Sequence, residues 1–150
     1  MTESEAIDVA SEDAIRELLR GELAAVETYE RALEQLSGDP LATPVQAIHA
    51  EHVRAVYLLR ERLAIYTDEP VTSSGAWGTF ATVVESAANL LGHGPALRVL
   101  QEGEQHGIRR YEDTLEQATV DAKTQLLIRE QLLPSCRDHG EALARLRNGG

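Results

Sequence analysis

Helical periodicity is the feature that most restricts the fold of this chain. Apolar residues recur at helical spacing along nearly the whole sequence, whereas strand-like runs rich in valine, isoleucine and threonine are absent. The pattern breaks at residues 37–40 (SGDP), 66–78 (YTDEPVTSSGAWG) and 92–95 (GHGP). The 150 residues are enough to bury the core of one domain. We therefore predict an all-α domain with four long helices.

The lengths of the connections predict how these helices pair. Short links join the first helix to the second and the third to the fourth, so each pair should form an antiparallel hairpin. The middle connection is long enough to cross from one end of a bundle to the other, and residues 80–91 have the pattern of a short amphipathic helix within it. Pro134 lies inside the last helix, which begins near Asp121, and should kink it or free a carbonyl.

The start of the apolar pattern predicts the limits of the bundle. The first stripe opens at Ile15, so we predict that the first helix begins near Ser11 or Asp13. Residues 1–10 are then a flexible acidic tail, and residues 11–150 form the bundle. This N-terminal stretch lacks the basic segment of a signal peptide, and no apolar run is long enough to span a membrane.

The first and third helices contain an internal repeat. Residues 21–35 and 103–117 agree at seven of fifteen positions at one constant offset. Ordinary amino-acid usage would give about one match by chance. Both windows contain the pattern Gly-Glu-x6-Tyr, at Gly21 and at Gly103. We interpret the second hairpin as a copy of the first, and we expect the repeated glycines to permit close helix packing.

Polar residues stand where each helix should face the core. Glu22 shares a row with Ile15 and Tyr29, and a lone carboxylate in a dry core costs several kcal/mol unless it has a partner. His52 and His139 lie at the centres of the second and fourth stripes. The polar residues predicted to face the core are Glu22, His52, Glu104 and His139, with His49 and Cys136 three positions before the two histidines.

Two kinds of partner would satisfy these buried groups. One is metal, because a carboxylate from each of two helices and an i, i+3 pair from each of the others is the layout of dinuclear carboxylate sites in bundles. Such ligands suit iron or manganese. The other is histidine itself, since two carboxylate–imidazolium pairs would satisfy the core without metal. We expect Tyr29 and Tyr111 to be core aromatics with satisfied hydroxyls, and Glu51 to point away from the stripe.

The repeat, the long crossover and Gly-Glu-x6-Tyr resemble the ferritin-like superfamily, and rubrerythrins most. The stretches SSGAWGTF and LQEGEQHGIRRYEDTLE also resemble an uncharacterised bacterial family of ferritin-like four-helix bundles. The resemblance implies an up-down-down-up bundle with Glu22, His52, Glu104 and His139 as metal ligands. Where the rubrerythrin pattern has two further glutamates, this chain has His49 and Cys136. That departure favours a nitrogen-rich site, for one ion or for zinc.

Charge and cysteine content restrict partners and compartment. A net charge of -11 argues against nucleic acid and anionic membranes as partners and suits cationic ligands. The single cysteine excludes an internal disulfide and fits a cytoplasmic protein. Tyr57, Leu58 and Ile65 lie off the main stripe and favour a homodimer.

Two functions follow as hypotheses of equal weight. The first is a metal-binding oxidoreductase that holds one or two ions of iron, manganese or another transition metal and acts on peroxide, oxygen or ferrous iron. The second is a metal-free descendant of the ferritin-like fold that works as a stress-related or scaffolding bundle, without a cofactor. Its buried glutamate–histidine pairs would then specify packing.

Overall fold

The computed structural model describes residues 1–75 and 93–149, and within these ranges the regular structure is entirely helical. This confirms the all-α prediction, while the short helix predicted at residues 80–91 lies outside the described residues. The helices are α1 (Glu3–Gln35), α2 (Ala42–Leu63), α3 (His93–Leu115), α4 (Ala122–Leu127), a π-helical turn (Ile128–Leu132) and α5 (Leu133–Arg147). The last three follow without a break, so residues 122–147 form one fourth helix.

The four long helices pack as expected for a four-helix bundle. α1 lies mainly against α2, and α3 lies mainly against α5. Two separate apolar clusters fill the interior. Along every long helix, the polar residue predicted to face the core stands between the residues of one cluster and those of the other. The core is thus divided by a polar layer.

The N-terminal helix begins earlier than predicted. α1 starts at Glu3, about two turns before Ser11, so the predicted start was wrong and residues 3–10 belong to the helix. The physical reason is a capping box. The backbone N–H of Glu5 donates to Thr2 Oγ1 at 3.1 Å, and the backbone N–H of Thr2 donates to Glu5 Oε2 at 3.3 Å. The spacing Thr-x-x-Glu was the signal in the sequence that would have found it.

Pro134 changes the hydrogen bonding of the fourth helix because it has no backbone N–H to donate. The π-helical turn Ile128–Leu132 lies immediately before it, and the N–H of Leu133 donates to the carbonyl of Ile128. A proline cannot donate to the carbonyl four residues earlier and its ring crowds that carbonyl, so a widened turn relieves both problems. Both Leu132 and Leu133 are buried, although they are neighbours in sequence.

Asp121 joins three parts of the bundle. As the N-cap of α4 it accepts a hydrogen bond at Oδ1 from the N–H of Thr124, at 2.8 Å, and another from Arg62, at 2.9 Å. Its Oδ2 accepts from the hydroxyl of Tyr66 at 2.6 Å, and its own N–H donates to Ser11 Oγ at 2.9 Å. Burial raises the pKa of Asp121, but the donors Tyr66 and Thr124 and the charge of Arg62 outweigh it and lower the pKa.

Replacing Asp121 by alanine should therefore destabilise the fold. We expect Asp121→Ala to lower the free energy of unfolding by about 3 kcal/mol, because a helix cap and charge-assisted hydrogen bonds disappear together. Urea denaturation measures this. Asp113→Ala removes an exposed aspartate of α3 and should change the value by less than about 0.5 kcal/mol. Equal effects of the two substitutions would contradict the assignment.

Candidate functional site

The polar layer brings together one residue from each long helix. Glu22 of α1, His52 of α2, Glu104 of α3 and His139 of α5 are each no more than 5% exposed. The helical pattern predicts that these four residues face the core, and the structure buries all of them there. Their mutual geometry decides what the layer can do.

His52 bridges the two buried carboxylates. Its Nδ1 lies 2.6 Å from Glu22 Oε2, and its Nε2 lies 2.7 Å from Glu104 Oε1. Burial lowers the pKa of His52, but the attraction of Glu104 and Glu22 outweighs burial and brings the pKa well above its usual value. His52 is therefore an imidazolium that donates from both nitrogens.

The charge of His52 also fixes the state of Glu104. Burial raises the pKa of the Glu104 carboxyl, but His52 and His139 outweigh burial and bring the pKa far below its usual range. Glu104 is therefore a carboxylate even though it is 3% exposed.

Tyr29 and Tyr111 each donate a hydrogen bond to one of the two buried carboxylates. The hydroxyl of Tyr29 donates to Glu104 Oε1 at 2.7 Å, and that of Tyr111 donates to Glu22 Oε1 at 2.5 Å. Each window of the repeat thus supplies the donor for the carboxylate of the other window. Burial and the neighbouring carboxylates raise the pKa of both tyrosines well above the usual value, so both remain donors. The prediction of core tyrosines with satisfied hydroxyls is confirmed.

His139 faces Glu104 on one side and the surface on the other. Its Nδ1 lies 3.4 Å from Glu104 Oε1, which is long for a hydrogen bond. Its Nε2 lies 3.3 Å from Glu51 Oε1 and 3.2 Å from Ser135 Oγ, and Ser135 Oγ donates to Glu51 Oε2 at 3.1 Å. The side chain of Glu51 is 55% exposed, so the layer meets solvent through it.

Glu51 and Ser135 are the contacts of the layer that sequence reasoning missed. Glu51 does point away from its own stripe, as predicted, but the neighbouring helix brings His139 to it. The sequence did contain a signal for the contact of Ser135. This residue stands four positions before His139, on the same face of the helix. Nothing in the pattern of α2 alone indicates that Glu51 has a buried partner.

Two atoms of the layer remain unsatisfied. Within residues 1–75 and 93–149, neither Glu104 Oε2 nor His139 Nδ1 has a hydrogen-bond partner. His52, Glu104 and His139 each offer one ligand atom such that all three atoms lie within 4.8 Å of one another. Each histidine turns one nitrogen toward Glu104 and the other toward a second carboxylate. This arrangement is typical of histidines that ligate metal, whose outer N–H is held by a carboxylate.

His49 and Cys136, the other predicted ligands, lie outside this group of three. His49 Nε2 is 3.6 Å from Glu30 Oε1, on a glutamate whose side chain is 58% exposed. Cys136 is buried. Burial, together with the charges of Glu22 and Glu104, raises the pKa of its thiol well above the usual value. Cys136 is thus a neutral thiol.

Two cavities border the layer on different sides. One, of about 70 Å³, lies between α1 and α3, and the other, of about 200 Å³, lies between α2 and the fourth helix. Gly21 and Gly103 both line the first cavity. A Cβ built on either glycine meets no atom of the described part of the chain within 4 Å. Among the described residues, the close packing that we expected at these glycines is therefore not seen.

Residues 10–117 match the family model described as "Domain of unknown function (DUF2383)". The chain belongs to this family. The matched region contains Glu22, His52 and Glu104 and ends before His139. No curated protein and no solved structure gave a significant match. Among the described helices, none is both long and apolar enough to cross a membrane.

Removing the hydroxyl of Tyr111 tests the hydrogen bonds of the layer. Tyr111→Phe leaves Glu22 Oε1 without this donor, and we expect the free energy of unfolding to fall by about 2 kcal/mol. Thermal and urea denaturation measure the loss. Tyr57→Phe makes the same chemical change at a residue that is 61% exposed and should alter stability by less than about 0.5 kcal/mol. A stable Tyr111→Phe protein would show that Glu22 does not need the hydroxyl.

The raised pKa of His52 predicts how stability depends on pH. Its stabilisation is complete below about pH 6.5, the value for an unfolded chain, and is lost as pH rises through the raised folded pKa. The lowered pKa of Glu104 acts oppositely, and its contribution is lost only as pH falls below 4.5 and through the folded pKa. We expect metal-free protein to be most stable between about pH 4.5 and 6.5 and to lose stability toward pH 9.

Urea denaturation at a series of pH values in chelator tests this profile. His52→Gln should remove most of the decline above about pH 6.5, since no imidazolium remains to lose its proton. His106→Gln, at an exposed histidine of α3, should leave the decline in place. The same slope in wild type and His52→Gln would show that His52 is not the titrating group.

Proposed function

We propose that this chain is a ferritin-like bundle whose polar layer binds one transition metal ion through His52, Glu104 and His139. The observation that carries the proposal is that two buried atoms of the layer, Glu104 Oε2 and His139 Nδ1, lack hydrogen-bond partners among the described residues. Unsatisfied buried polar atoms are costly and rare in folded proteins. A cation bound by this carboxylate and the imidazoles would give such atoms a partner, and the three ligand atoms within 4.8 Å of one another suit a single ion.

The ligand set favours iron or manganese, with zinc as the competitor. Two imidazoles and one carboxylate that leave positions open are typical of non-haem iron sites, and zinc accepts the same ligands. His49 and Cys136 replace the carboxylates that would hold a second ion, which supports one ion in preference to two. Bound iron or manganese would supply redox chemistry with oxygen or peroxide, and this is the oxidoreductase activity that we propose.

The residues around the ligands would orient them. Glu22 holds Nδ1 of His52 at 2.6 Å, and Tyr111 in turn donates to Glu22. Glu51 and Ser135 hold Nε2 of His139 from the surface side. These contacts would leave Nε2 of His52 and Nδ1 of His139 directed at Glu104. Because a ligating imidazole must lose its proton and the pKa of His52 is raised, metal affinity should increase with pH.

The ferritin-like assignment is supported by the repeat and by its contacts. Tyr29 of the first window donates to Glu104 of the second, and Tyr111 of the second donates to Glu22 of the first. Two copies of one hairpin related by a two-fold axis would make such reciprocal contacts. The rubrerythrin-like pattern of single glutamates two turns before tyrosines agrees with this relation.

A metal-free role is the second candidate, and one observation favours it. His52 lies 2.6 Å and 2.7 Å from the two carboxylates, and this bridge satisfies most of the layer without metal. The layer would then specify packing, and the bundle would act through a partner or a second copy of itself. Tyr57 and Ile65, 61% and 63% exposed, are apolar surface that a homodimer could cover.

Metal content separates the two candidates. We expect protein from cells grown with iron, manganese and zinc to contain about one ion per chain by elemental analysis. One ion is what a single site formed by two imidazoles and a carboxylate would hold. Glu104→Gln removes an anionic ligand while keeping its shape and should lose the ion. Glu102→Gln, at a side chain that is 62% exposed on the same helix, should retain it.

Two further results decide the outcome. Affinity for ferrous iron under anaerobic conditions should be higher at pH 8 than at pH 6, about tenfold or more, because His52 must release its proton. Circular dichroism of Glu104→Gln establishes that lost metal does not reflect an unfolded chain. If wild type binds no ion even after anaerobic incubation with ferrous iron, the metal site is refuted and the metal-free role stands.

A further inference from the structure

The cavity between α2 and the fourth helix extends from the surface to the polar layer. Of the residues that line it, Glu51, Arg54 and Gln131 are exposed, whereas Glu22, His52 and His139 are no more than 5% exposed. The same cavity therefore borders solvent-exposed polar side chains and two of the three residues of the proposed metal site.

Two contacts connect the exposed Glu51 to the buried Glu104. Glu51 Oε1 lies 3.3 Å from His139 Nε2, and His139 Nδ1 lies 3.4 Å from Glu104 Oε1. Ser135 Oγ donates to Glu51 Oε2 at 3.1 Å, which restricts where this carboxylate can lie. One imidazole thus separates a carboxylate that is 55% exposed from the carboxylate of the layer.

The two ends of the chain that border residues 76–92 contact other elements. Ser74 donates to Glu27 of α1 at 3.0 Å, and His93 Nδ1 lies 3.0 Å from Asp39 in the link between α1 and α2. The exposed residues that line the cavity belong instead to α2 and the fourth helix. Glu51 therefore stands on an element that neither of these two contacts involves.

We infer that Glu51 is the entry residue for the metal ion of the polar layer: a divalent cation from solvent binds first to its carboxylate and passes His139 to reach Glu104. The inference rests on the proposed metal function and adds the side from which the ion arrives. Carboxylates and imidazoles both ligate divalent transition metals. The ion therefore finds a ligand at each step of this route.

The charges beside the cavity make the route testable. Arg54 stands three residues after Glu51 on α2, and both side chains are exposed and line the cavity. A carboxylate at the mouth of a cleft raises the local concentration of cations and their association rate, whereas a guanidinium lowers both. The two residues should therefore affect entry with opposite signs. Glu51 should have the larger effect, because it contacts His139 directly.

Stopped-flow binding of cobalt(II) to the full chain at pH 8 measures the rate of entry, since cobalt(II) accepts the same nitrogen and oxygen ligands as iron(II) and zinc. We expect Glu51→Gln to lower the association rate constant at least about fivefold and Arg54→Gln to raise it. Glu61→Gln makes the same change of charge at an exposed glutamate of α2 that is not among the described residues lining the cavity. Its association rate should match that of wild type.

The dissociation constant separates entry from orientation of the ligands. Glutamine keeps the shape of Glu51 and an oxygen that accepts from His139. Glu51→Gln should therefore change the dissociation constant by less than about threefold, because a residue on the path alters association and dissociation alike. Weaker binding with an unchanged association rate would show that Glu51 only orients His139, and would overturn the inference.

Two further outcomes would also count against the route. Equal association rates in wild type and Glu51→Gln, or slower entry in Arg54→Gln, would refute it and leave the metal site intact. Wild-type protein that binds no ion would refute the metal site and this route together, so the two failures are distinguishable.

Discussion

The bridge from His52 to Glu22 and Glu104 is the interaction on which this bundle depends. A carboxylate in a dry core costs several kcal/mol, and Glu22 and Glu104 are both buried. One imidazolium between them balances much of that cost, with contacts of 2.6 Å and 2.7 Å. Because the three residues lie on α1, α2 and α3, the bridge also restricts how those helices can slide past each other.

The layer is symmetric in sequence and asymmetric in space. The repeat places a glutamate and a tyrosine at equivalent positions of α1 and α3, and the tyrosine contacts are reciprocal. The histidines are not equivalent, since His52 bridges both carboxylates while His139 approaches only Glu104 and turns its other nitrogen toward Glu51. The unsatisfied atoms therefore collect on the side of Glu104 and His139, where we place the metal.

Residues of the layer line cavities on two sides. Between α2 and the fourth helix, Glu51, Ser135 and His139 form a polar path from solvent. Between α1 and α3, Leu18 and Leu100 line a cavity together with Glu104 and Arg110. An ion or a proton has partners along the polar path between α2 and the fourth helix.

The sequence by itself determined the four helices and the four residues of the layer, because helical periodicity decides which side chains face inward. It also carried the capping signal at Thr2 that places the helix start at Glu3. Only the tertiary structure decided which buried groups meet. Glu51 meets His139, and this contact depends on the separation and rotation of neighbouring helices. The pattern along one helix specifies its faces, but the distance between two helices follows from all the side chains packed between them.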